Sequence, residues 1–193
     1  MPTINGRACV VNGSPVDKVY SDGKQVYGRN FLKNTGNLSA TSTTNWWNVL
    51  FDYSNLCNST MKSLSYVSAM AFSFNMYVPL SAPVGDLFSI QIKGQSSQAQ
   101  NIFIDTYNTI FDYANYFIKQ NDLGKTIRVS YLLHFEKKYQ SFDNALADTA
   151  RITIRQNSNL PGFVISKIKL EIGTVSTPWT SAPEDVGAVV KSA

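Results

Sequence analysis

The clearest alternation in the chain runs over residues 126–136, where Ile127, Val129, Tyr131, Leu133 and Phe135 recur at every second position. A strand sends successive side chains to opposite faces, whereas a helix would scatter this set around its axis. The segment is therefore committed to a sheet with one apolar face. Residues 65–78 repeat the pattern, with Phe72, Phe74, Met76 and Val78 set against Ala71, Ser73, Asn75 and Tyr77, and Pro79 ends the run. Residues 87–93 place Phe88, Ile90 and Ile92 inward, and residues 101–107 do the same with Ile102 and Ile104. Ile152 and Ile154 alternate with Arg151, Thr153 and Arg155 in residues 150–156. In residues 164–172, Val164, Ser166, Ile168, Leu170 and Ile172 share a face against Lys167, Lys169 and Glu171.

Six such strands separated by Gly, Pro, Asn and Ser turns predict an all-β fold, an antiparallel β-sandwich of jelly-roll type with one wet face per sheet. Helical signals are sparse. Residues 108–119 read as a turn or a short helix, and Pro183-Glu184-Asp185-Val186 as a short helix with proline first, or as a linker. Residues 34–45 are rich in Asn, Gly, Ser and Thr and predict a surface loop.

The first thirty residues carry a different signal. Val10-Val11-Asn12-Gly13-Ser14-Pro15-Val16 is an apolar pair, a turn and a return, and Val19-Tyr20-Ser21-Asp22-Gly23-Lys24-Gln25-Val26-Tyr27 repeats the scheme. Asn-Gly and Asp-Gly tolerate the positive φ that tight hairpins need, so two hairpins in tandem are expected. Hairpins this small are not stable alone and must dock on their own sandwich or on a partner. The expected organisation is an N-terminal β-hairpin attachment segment at 1–30, a β-sandwich at 31–180 and a tail at 181–193.

A chain of 193 residues can bury a core without disulfides or metals. Its charged fraction is low, at 16%, and its polarity comes mostly from hydroxyl and amide side chains. The net charge of +4 is scattered, which argues for a solvated surface over a nucleic-acid groove and leaves attraction to anionic wall polymers open. Cys9 and Cys57 fall in different modules and are expected as free thiols. The first residues show no signal peptide, and no stretch is apolar enough to span a membrane, so synthesis in a cytoplasm is expected.

Two phrases resemble a known family. Val11-Asn12-Gly13-Ser14-Pro15-Val16-Asp17-Lys18-Val19-Tyr20, continuing through Gly23-Lys24-Gln25-Val26-Tyr27-Gly28-Arg29-Asn30, resembles the opening of minor structural proteins in tails and baseplates of phages of lactic acid bacteria. Lys167-Ile168-Lys169-Leu170-Glu171-Ile172-Gly173, followed by Thr177-Pro178-Trp179, is similar to the closing strand of carbohydrate-binding modules in the same proteins. The resemblance covers about a quarter of the chain, at its ends. It implies an accessory tail or baseplate protein, present in the virion and released by lysis. Its sandwich would adhere to host cell-wall polysaccharide, and its hairpins would dock on other phage tail or baseplate proteins. A homotrimer would suit a tail axis.

Sugar recognition needs flat apolar faces with amides and hydroxyls beside them. Asn45-Trp46-Trp47-Asn48 offers two indoles between carboxamides. Neighbouring residues of a strand face opposite ways, so one indole would be buried and one exposed, unless both pack under the sandwich. Tyr107, Asn108, Asp112, Tyr113, Asn115 and Tyr116 form a second aromatic–amide cluster, readable as a ligand platform or as loop packing. Tyr139, Gln140 and Asp143 offer a weaker third group. The candidate ligand residues are thus Trp46, Trp47, Asn48, Tyr107, Asp112, Tyr113 and Tyr116, with Trp179 expected to pin the chain end.

Catalysis is not expected. The single histidine, His134, sits on the outward side of its strand, and Asp105, Asp112, Asp143 and Glu136 show no spacing that marks a glycosidase pair. No cofactor is expected. A structural calcium is left open because related jelly rolls hold one, with Glu171 or Asp86 as contributors. The competing class is a purely structural decoration protein that contacts only other virion proteins, since aromatic-rich faces serve protein interfaces equally well.

Overall fold

The structure, a computed structural model, describes residues 9–11, 14–45, 48–53, 69–94, 102–104, 113–135, 152–156 and 159–186. Two hairpins come first. β1 (Val10–Val11) pairs with β2 (Ser14–Pro15), and β3 (Lys18–Ser21) pairs with β4 (Lys24–Gly28). Asp22 and Gly23 turn the second hairpin at φ 50° and 74°, the left-handed geometry that the Asp-Gly pair was expected to supply.

The remaining strands form two antiparallel sheets. One has the order β5-β13-β7-β11-β9, built from β5 (Ser39–Thr41), β7 (Ala69–Tyr77), β9 (Ile102–Ile104), β11 (Thr126–Phe135) and β13 (Val164–Ile172). The other has the order β10-β8-β12-β6, built from β6 (Val49–Tyr53), β8 (Leu87–Gly94), β10 (Tyr113–Phe117) and β12 (Ile152–Gln156). Every step from β5 to β13 crosses to the opposite sheet. A short helix, α1 (Pro183–Val186), closes the described chain and begins on proline, which loses no helical bond there.

The core lies between the sheets. Met70, Phe72, Phe74 and Met76 of β7, Val129 and Tyr131 of β11, and Ile165, Ile168 and Leu170 of β13 meet Leu50, Phe51 and Phe88 from the facing sheet. Phe88 stacks on Phe163 with ring centroids 4.1 Å apart. Each large apolar side chain removed from water contributes about 1.5–3 kcal/mol. The apolar face expected of residues 126–136 is the buried one at Val129 and Tyr131, and Phe88 also faces in as expected.

Three expectations are corrected. First, residues 113–117 form the edge strand β10 and not a turn or helix. Second, a bulge between Ser166 and Lys169, with Lys167 at φ 50°, shifts the phase of β13. The core face therefore takes Ile165 and then Ile168 and Leu170, while Val164 and Ser166 are only half-buried. Third, the outer face of the five-stranded sheet is not wet throughout: Ser73, Lys169 and Glu171 are each 0% exposed.

Segments flanking the sandwich cover that outer face. Phe31 N–H donates to Leu170 O, so residues just after β4 run beside β13. Asn30 is fully buried; its Nδ2 donates to Thr35 Oγ1, Ile168 O and Thr180 O, and its Oδ1 accepts from the N–H groups of Leu32 and Leu170. Gly28 fits because it has no side chain. A Cβ there would overlap Glu171 Oε2. Gly28→Ala is accordingly expected to cost about 1–3 kcal/mol through overpacking, read as a lower urea midpoint with an unchanged slope.

Candidate functional site

Strand direction places the described parts of four connections together at one end of the sandwich: residues 42–45 and 48, 78–86, 118–125 and 159–163. Two of them are tied by a buried glutamine. Gln156 Oε1 accepts from Thr43 N–H, and its Nε2 donates to the carbonyls of Thr43 and Leu160. Ser42 adds to this, donating its hydroxyl to Leu160 O at 2.7 Å and accepting Phe163 N–H at 2.9 Å. The loop that contains Trp46 and Trp47 thus starts from a base fixed on both backbone groups of Thr43. Trp46 and Trp47 themselves lie outside the described residues. Asn48 is half-buried; its Nδ2 donates to Thr41 O at 3.3 Å, and its carbonyl accepts Gln156 N–H.

The second predicted cluster is divided. Tyr107, Asn108 and Asp112 lie outside the described residues, as do Tyr139, Gln140 and Asp143. Tyr113 and Asn115 are on β10, and of their side chains nothing is described. Tyr116 is half-buried against the core, and its hydroxyl donates to Asp122 Oδ2 at 2.5 Å. Burial first, and this bond to Asp122 second, push its phenol up to about 12. Its polar end is thus committed within the protein.

Tyr113, Gln91, Arg155 and Val49 form one row across the four-stranded sheet. β10 and β6 are its opposite edges, so Tyr113 and Val49 stand at one level, about 14 Å apart at strand spacing. Sequence reasoning missed Phe117, which is 61% exposed beside β10's buried neighbour Ile118, and also Leu80 and Val84 on the adjoining turn. Gln156 was also missed; a glutamine ending an apolar strand carries no local mark of its role.

The closing-strand phrase builds a dry ionic clasp on the other sheet. Lys169 Nζ and Glu171 Oε2 lie 3.4 Å apart with both side chains 0% exposed. Lys169 Nζ also donates to Thr177 Oγ1 at 2.6 Å and to Pro178 O at 2.9 Å. Thr177 returns its hydroxyl to Glu171 Oε2 and its N–H to Glu171 Oε1, each at 2.7 Å. Burial pulls the Lys169 ammonium down to about 8, against the opposing pull of Glu171. Arg128 on β11 is likewise lowered by burial, to about 10, with Glu171 opposing. Its guanidinium donates to Ser73 Oγ, Asn75 Oδ1 and Lys167 O.

The hairpin phrase supplies the cover. The Tyr27 ring lies 5.7 Å from Lys169 Nζ, and Gly28 N–H donates to Thr177 Oγ1. Arg29 pairs with Asp17 and with Glu184 of α1. Trp179 packs as expected of a pin: its Nε1 donates to Thr35 Oγ1, Lys167 Nζ sits 4.3 Å from its ring, and Gly36 leaves room for it. Of the two residues considered for calcium, Glu171 has its oxygens bound by Thr177 and Lys169. Asp86 is an exposed turn residue. Among the described residues no group of three His, Cys, Asp or Glu side chains is placed to hold a metal, and no helix is long and apolar enough to cross a membrane.

Fold and clasp together define a two-sheet antiparallel sandwich domain locked by the segments that flank it. The chain belongs to the family described as a domain of unknown function, DUF7013, whose model matches residues 27–182. That span opens at Tyr27 and ends at Ala182, so it contains both halves of the clasp. No curated protein matches the sequence. Among solved structures, the chain is similar to a candidate sugar binding protein from Bacteroides thetaiotaomicron, at 17% identity and a TM-score of 0.36. The match covers 58% of this chain and 64% of that one, which is under two thirds of its length.

The clasp yields a test of its own. Lys169→Met strands a buried carboxylate and is expected to cost about 3–5 kcal/mol, whereas Lys169→Met with Glu171→Leu should recover most of that loss. Chemical denaturation of the two variants and of Glu171→Leu alone completes the cycle.

Proposed function

We propose that this protein is a non-catalytic accessory protein of a phage tail or baseplate that binds host cell-wall saccharide to promote adsorption. The observation that carries the reading is the loop before β6. Its sequence sets two indoles between Asn45 and Asn48, and its base is held rigid by Gln156 and Ser42. A loop anchored at its base and carrying aromatic and amide groups in its sequence supplies the chemistry that pyranose recognition requires.

The phage context rests on the two phrases that resemble tail proteins. Their contact in the fold supports treating them as one unit: Tyr27 and Gly28 meet Lys169, Glu171 and Thr177, and Asn30 bonds to the backbone of Ile168 and Leu170. Outside that contact the hairpins keep Val11 and Tyr20 more than half exposed, a surface suited to other tail or baseplate proteins. Single saccharide sites bind weakly, so many copies per virion, as homotrimers or otherwise, would supply avidity. The same exposed hairpin residues favour a second reading, a purely structural decoration protein.

Binding to purified cell-wall polysaccharide of a lactic acid bacterium separates the two. Wild-type protein is expected to bind in the micromolar to millimolar range by calorimetry, with no release of reducing ends. Whichever of Trp46→Ala and Trp47→Ala keeps the wild-type melting temperature should weaken binding by about tenfold or more. Wild-type protein that leaves the polysaccharide unbound, while still assembling onto virions, would leave the decoration reading standing.

A further inference from the structure

We infer that the open half of the five-stranded sheet's outer face, centred on Arg128, is a site for the anionic groups of an acidic polysaccharide. For the polymer this rests on the saccharide-binding reading, to which it adds a separate site and the charge of the ligand.

Register lays out the surface. On β7, Phe72, Phe74 and Met76 enter the core, so Ser73, Asn75 and Tyr77 face outward. Thr126, Tyr77 and Val164 form one row across β11, β7 and β13, and Arg128, Asn75 and Ser166 form the next. In the row beyond, Ser73 and Lys169 are dry, and only Ser130 at its β11 end is exposed. The first two rows are open by comparison: Thr126 is exposed, and the other five residues are half-buried.

The charges on this face do not balance. Lys169 and Glu171 answer each other in the clasp. Arg128 and Lys167 have no such answer. The Arg128 guanidinium donates to Asn75 Oδ1, Lys167 O and Ser73 Oγ at 3.1, 2.6 and 2.7 Å, all of them neutral acceptors. Its buried Nε–H has no partner. Lys167 Nζ donates to Gly36 O and lies over the Trp179 ring, again neutral groups. Glu171 reaches Arg128 only as a longer-range attraction, and its oxygens are already bound by Lys169 and Thr177. Burial disfavours the Arg128 charge. A negative group arriving at this face offsets that cost, and two cations without a carboxylate partner draw it there.

The surroundings set the class of ligand. A guanidinium anchored by three bonds meets a phosphate or carboxylate in a fixed orientation. The same face carries the hydroxyls of Thr126, Ser130 and Ser166 and the ring of Tyr77, which suit the hydroxyls and the apolar side of a sugar. Two cations are too few for a nucleic acid, whose backbone is held by about six to ten phosphate contacts. A saccharide chain with sparse anionic groups matches both the charge and the hydroxyls.

The test uses the full chain and cell-wall polysaccharide of a lactic acid bacterium, separated by ion exchange into neutral and acidic fractions. Wild type is expected to bind the acidic fraction about tenfold more tightly at low salt, with the preference shrinking as salt is added. Replacing Arg128 itself would disturb Ser73, Asn75 and Lys167, so its charge is answered from exposed neighbours. Thr126→Glu and Ser130→Glu should keep the wild-type melting temperature and erase most of the preference and its salt dependence. Their binding of the neutral fraction should be unchanged. Lys24→Gln, which alters net charge by the same amount on the hairpin, should leave the preference in place. Equal binding of both fractions by wild type, or a preference that survives both glutamates, would overturn the anion site. So would an equal loss in Lys24→Gln, which would assign the preference to net charge. In each case neutral-fraction binding that the tryptophan variants weaken leaves the saccharide reading standing. Wild type that binds neither fraction overturns both.

Discussion

The structure depends on keeping a carboxylate dry. Glu171 is removed from water in the middle of a sheet's outer face, and so is the Lys169 ammonium beside it. Desolvating two charges costs several kcal/mol per ion, and only close contact with full hydrogen bonding offsets it. The walls that exclude water come from distant parts of the chain: Tyr27 and Gly28 on one side, Thr177 and Pro178 on the other. Remove either wall and the charges face a partial cavity that neither hydrates nor pairs them fully. The domain is therefore complete only when residues 27–35 and 177–185 are both in place.

That requirement organises the rest of the molecule. The flanking segments are linked to each other as well as to β13, through Asn30 to Thr180, Arg29 to Glu184 and Trp179 to Thr35. Their covering role occupies the outer face of the five-stranded sheet around Lys169 and Glu171. The described residues of the loop end, 42–45, 48, 78–86, 118–125 and 159–163, take no part in the clasp. They are braced instead by backbone bonds and by Gln156. A side chain at that end, such as the exposed Phe117, is answerable to local packing alone.

How much of this could be read from sequence follows from the range of the interactions. Strands whose side chains alternate under a local rule were legible, as Phe72, Phe74, Met76 and Val129 attest. β10 was not, because Tyr113-Ala114-Asn115-Tyr116-Phe117 mixes polar and aromatic residues without a period, and pairing with β8 alone makes it a strand. The phase of β13 was misread at one residue: a left-handed Lys167 leaves no trace in composition, yet it moves Ile165 into the core in place of Val164 and Ser166. The clasp was visible only as two phrases at opposite ends. Nothing in Tyr-Gly-Arg-Asn announces that its glycine is the space occupied by a glutamate more than a hundred residues away. For the candidate site, the aromatic–amide composition was legible, but the placement of Asn48 and Tyr116 beside opposite edges of one sheet needed the register.

The closing phrase then acquires a physical meaning residue by residue. Lys169 and Glu171 are two apart, so a strand turns both to the covered side while Leu170 between them enters the core. Gly173, at φ 105°, ends the strand in a conformation closed to other residues, beside Lys18 of the hairpin. Thr177 then returns to the pair with a hydroxyl that has one donor and two acceptor positions. It donates to Glu171 Oε2 and accepts from Lys169 Nζ and from Gly28 N–H. Its hydrogen-bonding capacity is thereby filled by a carboxylate, an ammonium and the backbone of the hairpin phrase. A single side chain joins both charges to the segment that covers them, which is why the two phrases act as one structural unit.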